Sequence, residues 1–155
     1  MRFRPSRLTS GEWLLGIASA ALIADVFALP WFRYAGGHAD GWQSLSALSP
    51  FTLIVAALGV TVWWLSATQR APALPASLTP ILLALSLALI VWLLVRVFLD
   101  VPGVGPAGAS VSRDAGAYVA VGLALSLFAG AYRSLRREGV ADADAVTFIE
   151  TLRVS

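Results

Sequence analysis

Apolar residues in this chain come in four long unbroken runs. They do not alternate with polar ones. The runs cover 12–31, 50–68, 80–99 and 115–137; Asp25 interrupts the first after Glu12 at its start, the second has no charge, the third holds Arg96 near its end, and the fourth is uncharged up to Arg133, Arg136 and Arg137 at its end. A run of about 20 apolar residues matches the hydrocarbon core of a bilayer at the 1.5 Å rise of an α-helix. Lipid offers the backbone no hydrogen bonds, so each run predicts a helix. A strand lining a membrane barrel would alternate, and these segments do not. The predicted fold is all-α, an integral membrane four-helix bundle over residues 1–138, with an outer loop at 32–49 and a cytoplasmic tail at 139–155. Short connections favour antiparallel neighbours, which gives an up-down-up-down order.

Polar residues at the run edges set the expected ends. Thr9-Ser10-Gly11-Glu12 has the spacing of a capping box. Ser49-Pro50 and Thr79-Pro80 place a hydroxyl before a proline suited to a first helical position. Ser110 or Ser112 is expected to cap the fourth helix, with Asp114 in its first turn. Gly139 follows Arg136 and Arg137 and reads as a stop. The second outer loop, 100–112, is rich in Gly and Pro and is expected to be irregular. A short helical turn is expected within 44–49.

Composition sharpens the class. Hydrophobic residues make up 58% of the chain and charged residues 13%. Soluble domains are nearer 45–50% and 25%, so too little polar surface exists to cover a soluble ball. Disordered chains are poor in apolar residues, which excludes that class. No cysteine is present, which removes disulfides, thiolate metal sites and cysteine nucleophiles. The first run follows an arginine-rich start, but it is too long for a cleaved signal and Asp25 interrupts it, so a retained signal anchor is expected.

All eleven basic residues are arginine. Eight of them (Arg2, Arg4, Arg7, Arg70, Arg133, Arg136, Arg137 and Arg153) fall on the side of the two termini. Arg33, Arg96 and Arg113 fall on the other. Positive residues stay cytoplasmic, so both termini are expected inside a bacterial inner membrane. No basic stripe interleaved with aromatics points to nucleic acid.

Small residues mark expected helix contacts. Gly122, Ser126 and Gly130 repeat at a spacing of four on the fourth helix, and Gly16, Ala20 and Ala24 on the first. Strips of this kind let helices approach closely in lipid. The first and fourth helices are therefore expected to pack tightly, on each other or on a partner chain.

Asp25 is the sharpest chemical feature. It lies about 9 Å below the outer end of the first helix, at 1.5 Å per residue. A carboxylate at that depth costs several kcal/mol unless paired, hydrated or protonated. Arg96 lies near the outer end of the third helix, and an Asp25–Arg96 ion pair is expected. Asp100, four residues after Arg96, competes for it. Asp25 can serve as a structural clamp or as a site that couples a proton or cation to transport. Trp31, Tyr34 and Trp42 cluster around the first outer loop, suited to a partner contact or to headgroup anchoring. His38 is the only histidine. One His beside one Asp does not make a structural metal site, so neither metal nor cofactor is expected. In the tail, Asp142 or Asp144 is placed to cap a short helix carrying Val146, Ile149 and Leu152 or Arg153 near one face.

No Gly-x-Ser-x-Gly, His-Glu-x-x-His or phosphate loop occurs, and no enzyme is expected. Four spans with one carboxylate in the first resemble the arrangement of small multidrug-resistance transporters. The large tryptophan-containing first outer loop resembles claudin-like tetraspan proteins, although their paired loop cysteines are missing here. Arginine-only basicity and the Leu29-Pro30-Trp31-Phe32 edge resemble small four-helix membrane proteins of GC-rich, actinobacterial-type bacteria. The function expected is that of a non-enzymatic accessory or structural subunit. Its partners would be the bilayer and other membrane subunits or further copies of itself. A small proton- or cation-coupled transporter using Asp25 is the alternative.

Overall fold

The computed structural model describes residues 8–68, 73–106, 108 and 110–145. Four helices in it are long and apolar enough to cross a membrane. In chain order the elements are α1 (Ser10–Ala28), β1 (Pro30–Tyr34), β2 (Gly37–Asp40), α2 (Gly41–Ser44), α3 (Leu48–Thr68), α4 (Ala73–Leu94), a π-helical turn (Val95–Leu99), β3 (Val111–Arg113) and α5 (Ala115–Ala145).

The purely helical expectation is corrected by a small sheet. Three strands pair antiparallel in the order β2-β1-β3. The reason lies at Pro30. Its ring disfavours a helical conformation at the residue before it, and Leu29 is extended at φ −102°, ψ 143°. The first helix therefore ends at Ala28, short of the expected 31, and Trp31 leaves it for β1. The chain turns back through Ala35 and Gly36, where Gly36 holds φ +102°, a value glycine adopts without steric cost. A bulge between Pro30 and Phe32 breaks the register of β1 on β2. Successive strand residues normally face opposite sides, yet Trp31 and Phe32 are both fully buried; the bulge permits this.

Other boundaries moved as well. The capping box at α1 is present: the Thr9 N–H donates to Glu12 Oε2 at 2.7 Å, and the Glu12 N–H donates to Thr9 Oγ1 at 3.4 Å. α3 begins at Leu48, before Ser49-Pro50. Ser49 is not the cap, and its Oγ donates to the Gly41 and Trp42 carbonyls at 2.8 and 3.2 Å. α4 begins at Ala73, so Pro80 lies inside the helix, with Ala and Leu around it favouring the extension. The helical turn expected at 44–49 falls instead at Gly41–Ser44, capped by Asp40, whose side chain accepts from the Gln43 N–H at 2.8 Å. α5 does not stop at Gly139 but continues to Ala145; an interior glycine costs a helix only about 1 kcal/mol, and alanines follow. The cap proposed at Asp142 or Asp144 is thus absorbed into α5, and Val146, Ile149 and Leu152 lie outside the described residues.

Helix α1 packs most extensively on α5 and also on α3, while α4 packs on both α5 and α3. Leu15, Leu22, Val26, Val55, Leu82, Leu89, Leu93 and Leu127 are fully buried in one shared core that reaches up to Trp31 and Phe32 under the sheet.

Candidate functional site

The sheet and α2 form a cap over one end of the helices, and Asp25 sits beneath it. Asp25 is 3% exposed. Its backbone carbonyl is well served: the Leu29 N–H donates to it at 3.2 Å and the Trp31 indole N–H at 3.3 Å. Its carboxylate is not. Neither oxygen has a hydrogen-bond partner among the described residues.

The expected Asp25–Arg96 pair is corrected. Arg96 Nη1 pairs with Asp100 Oδ2, one turn on along its own segment. Local geometry wins because the π-helical turn carries Arg96 toward the exposed Asp100, and an i,i+4 contact orders less chain than one across the bundle.

Arg113 does what no sequence pattern revealed. From β3 it donates through Nε to the Val97 carbonyl and through Nη2 to the Phe98 carbonyl, the latter at 3.0 Å. A helix C-terminus leaves carbonyls without partners and carries negative partial charge, so a guanidinium fits there. Arg33, between His38 and Ser112 in the sheet, donates through Nε and Nη2 to Asp114 Oδ2 at 3.1 and 2.7 Å. Asp114, and not Ser110 or Ser112, precedes α5, and its Oδ1 accepts from the Ala115 N–H at 2.8 Å. That bond, opposed by desolvation and aided by Arg33, holds the Asp114 carboxyl below the usual carboxylate range. His38 lies exposed on β2.

The aromatic residues named from sequence divide. Trp42 is exposed and its ring lies 5.7 Å from that of Phe27. Tyr34 is half-buried. Trp31 is a core residue and not a loop contact. Its indole is wedged between two glycines: a Cβ on Gly41 would lie 2.7 Å from Trp31 Cε2, and one on Gly116 would lie 2.6 Å from Trp31 Cδ1.

The expected packing strips divide too. Gly130 meets α1 backbone to backbone, since a Cβ there would fall 2.7 Å from the Leu15 nitrogen and 2.8 Å from the Gly11 carbonyl oxygen. Gly16 lies against the Trp63 indole. Ala20, Ala24 and Gly122 instead face outward, and Ser126 Oγ donates to the Gly122 carbonyl of its own helix. The buried strip of α5 is Gly116, Ala120, Ala124 and Ala131. Ser19 is fully buried on α1, and its Oγ sits where a Gly59 Cβ would stand.

Among the described residues, no group of three or more His, Cys, Asp or Glu side chains comes together as a metal site. No protein-family model, curated protein or solved structure matches the chain.

Proposed function

We propose that this protein is a non-enzymatic subunit of a membrane assembly, built either from copies of itself or with other membrane proteins. In this reading the four apolar helices run up-down-up-down through a bacterial inner membrane with both termini in the cytoplasm. The arginine distribution supports that orientation.

The observation that carries the reading is the outward face of α1. Ile17, Ala20, Ala24 and Phe27 follow one another along it at helical spacing, and all are exposed. Less than half of each span is buried within the chain. Two alanines between a larger aliphatic and an aromatic leave a shallow groove in which a neighbouring helix can approach. The internal packing of small residues runs through Gly130, as expected, and through Gly11 and Ala124, which leaves Ala20 and Ala24 free on the outward face.

The chain has no cysteine, so Ala24→Cys introduces a single thiol. Oxidation in native membranes is expected to cross-link two copies if the assembly is homomeric, while Val91→Cys, on the exposed side of α4, stays monomeric. Native mass spectrometry after mild-detergent extraction is expected to show other subunits if it is heteromeric. A monomer by both measurements overturns the reading.

A further inference from the structure

An enclosed carboxylate needs a counter-charge. Burying one without a partner is among the larger single penalties a fold can carry. Among the described residues no basic side chain supplies it. On α1 the other ionisable residue is Glu12, engaged with Thr9 at the far end. α3 carries no charged residue. Of the charged groups on the elements packed around this end, Arg33 is held by Asp114, Arg96 by Asp100, and Arg113 by the carbonyls of Val97 and Phe98. His38 and Asp40 lie on β2, and Asp40 caps α2. On α5 the charges after Asp114 begin at Arg133, more than four turns inward. Leu22, Val26 and Trp31, the nearest buried apolar residues along the chain, are all fully buried, so no open path to water is visible beside Asp25, itself 3% exposed.

Trp31 stands at the only end of α1 from which Asp25 is near the surface. Its indole N–H bonds to the residue's own carbonyl, and Gly41 and Gly116 leave it the room to lie there. A tryptophan wedged between two glycines, beside a carboxylate whose oxygens have no hydrogen-bond partner among the described residues, has the arrangement of a plug.

We infer that Asp25 is an occluded site for a monovalent cation, a proton or a sodium ion, entered from the capped end and closed by Trp31. This reading does not depend on what the protein assembles with.

A hydrophobic carbodiimide, which modifies carboxyl groups within membranes, tests it on the full chain in liposomes. The adduct is located by peptide mass spectrometry across a pH series, with and without sodium chloride against a potassium chloride control. Asp25 is expected to be the labelled residue, and Asp25→Asn, nearly isosteric, to abolish the adduct. Labelling that depends on pH and ignores sodium identifies the proton. Protection by sodium at fixed pH identifies the sodium ion. Trp31→Phe keeps most of the wedge while losing the N–H and is expected to speed labelling several-fold; Trp31→Ala is expected to speed it at least tenfold, with size-exclusion elution reporting that each variant remains folded. Absence of an Asp25 adduct at every pH overturns the inference. So does labelling insensitive to pH and sodium, or a rate unchanged in a folded Trp31→Phe variant.

Discussion

Two glycines on one helix show how little residue type says without its surroundings. At Gly130 a methyl group would strike backbone atoms of α1 at under 3 Å, while at Gly122 it would meet nothing within 4 Å. Backbone cannot swing aside as a side chain can. Gly130→Ala is therefore expected to destabilise the α1–α5 contact by about 1–3 kcal/mol, the usual cost of overpacking, and Gly122→Ala to stabilise by up to about 1 kcal/mol, the helix-propensity gain with nothing in its way. Thermal unfolding in one detergent compares them, and equal shifts would refute the close contact. Asp114 gives a prediction of known sign. Its carboxyl is held low in the folded state, so it binds fewer protons there than when unfolded. The stabilisation it confers is complete above the ordinary carboxylate value near pH 4 and is lost as pH falls through the depressed folded value. Asp114→Asn is expected to flatten the acid limb of a stability–pH curve measured on the cap and to leave the neutral plateau lower. An acid limb identical to that of the parent would count against the role.

Elements end and begin here for reasons of differing reach. α1 stops because Pro30 acts on its immediate neighbour, a constraint written in two adjacent residues. The C-terminal end of α4 is completed from elsewhere: Arg113, on a strand fourteen residues beyond the π-helical turn, donates to carbonyls that the helix leaves open. Arg113→Ala is expected to fray Val95–Leu99 and to cost about 1 kcal/mol, at the low end for charged hydrogen bonds because the arginine is exposed. Backbone hydrogen exchange at Val97–Leu99 measures it; unchanged protection would show that the turn holds without the guanidinium. The small sheet itself joins β1 to β3 across some eighty residues of sequence, a pairing that no local pattern encodes.

At the scale of the whole molecule, large apolar side chains such as Ile17, Ile54, Leu87, Val91 and Leu125 stand exposed along helices long and apolar enough to cross a membrane. The proposed orientation makes a direct prediction. Gln43→Cys, on exposed α2, is expected to react with a membrane-impermeant maleimide in intact cells. Gln69→Cys, in the connection between α3 and α4, is expected to react only after permeabilisation. The reverse pattern would invert the molecule in the membrane. The same placement puts Asp25 and its Trp31 plug toward the outer face, so the carbodiimide experiment and the labelling experiment constrain each other.

The four apolar spans and the capping box at Thr9 and Glu12 were legible because lipid thickness and helix geometry act on contiguous residues: length, composition and short spacing suffice. Asp25 was legible as a feature for the same reason, since a charge stands out in an apolar run. Its partner was not. Matched depth suggested Arg96, but which side chains meet depends on how each helix is rotated and where it ends, and the π-helical turn and Asp100 settled that locally. The small-residue strips failed in part for a related reason. Spacing says that Gly16, Ala20 and Ala24 line one strip, yet only packing decides which edge of that strip points inward. The sheet, the Arg113 cap and the burial of Trp31 between two glycines belong wholly to tertiary structure, because each joins residues distant in sequence through contacts that exist only once the chain has folded.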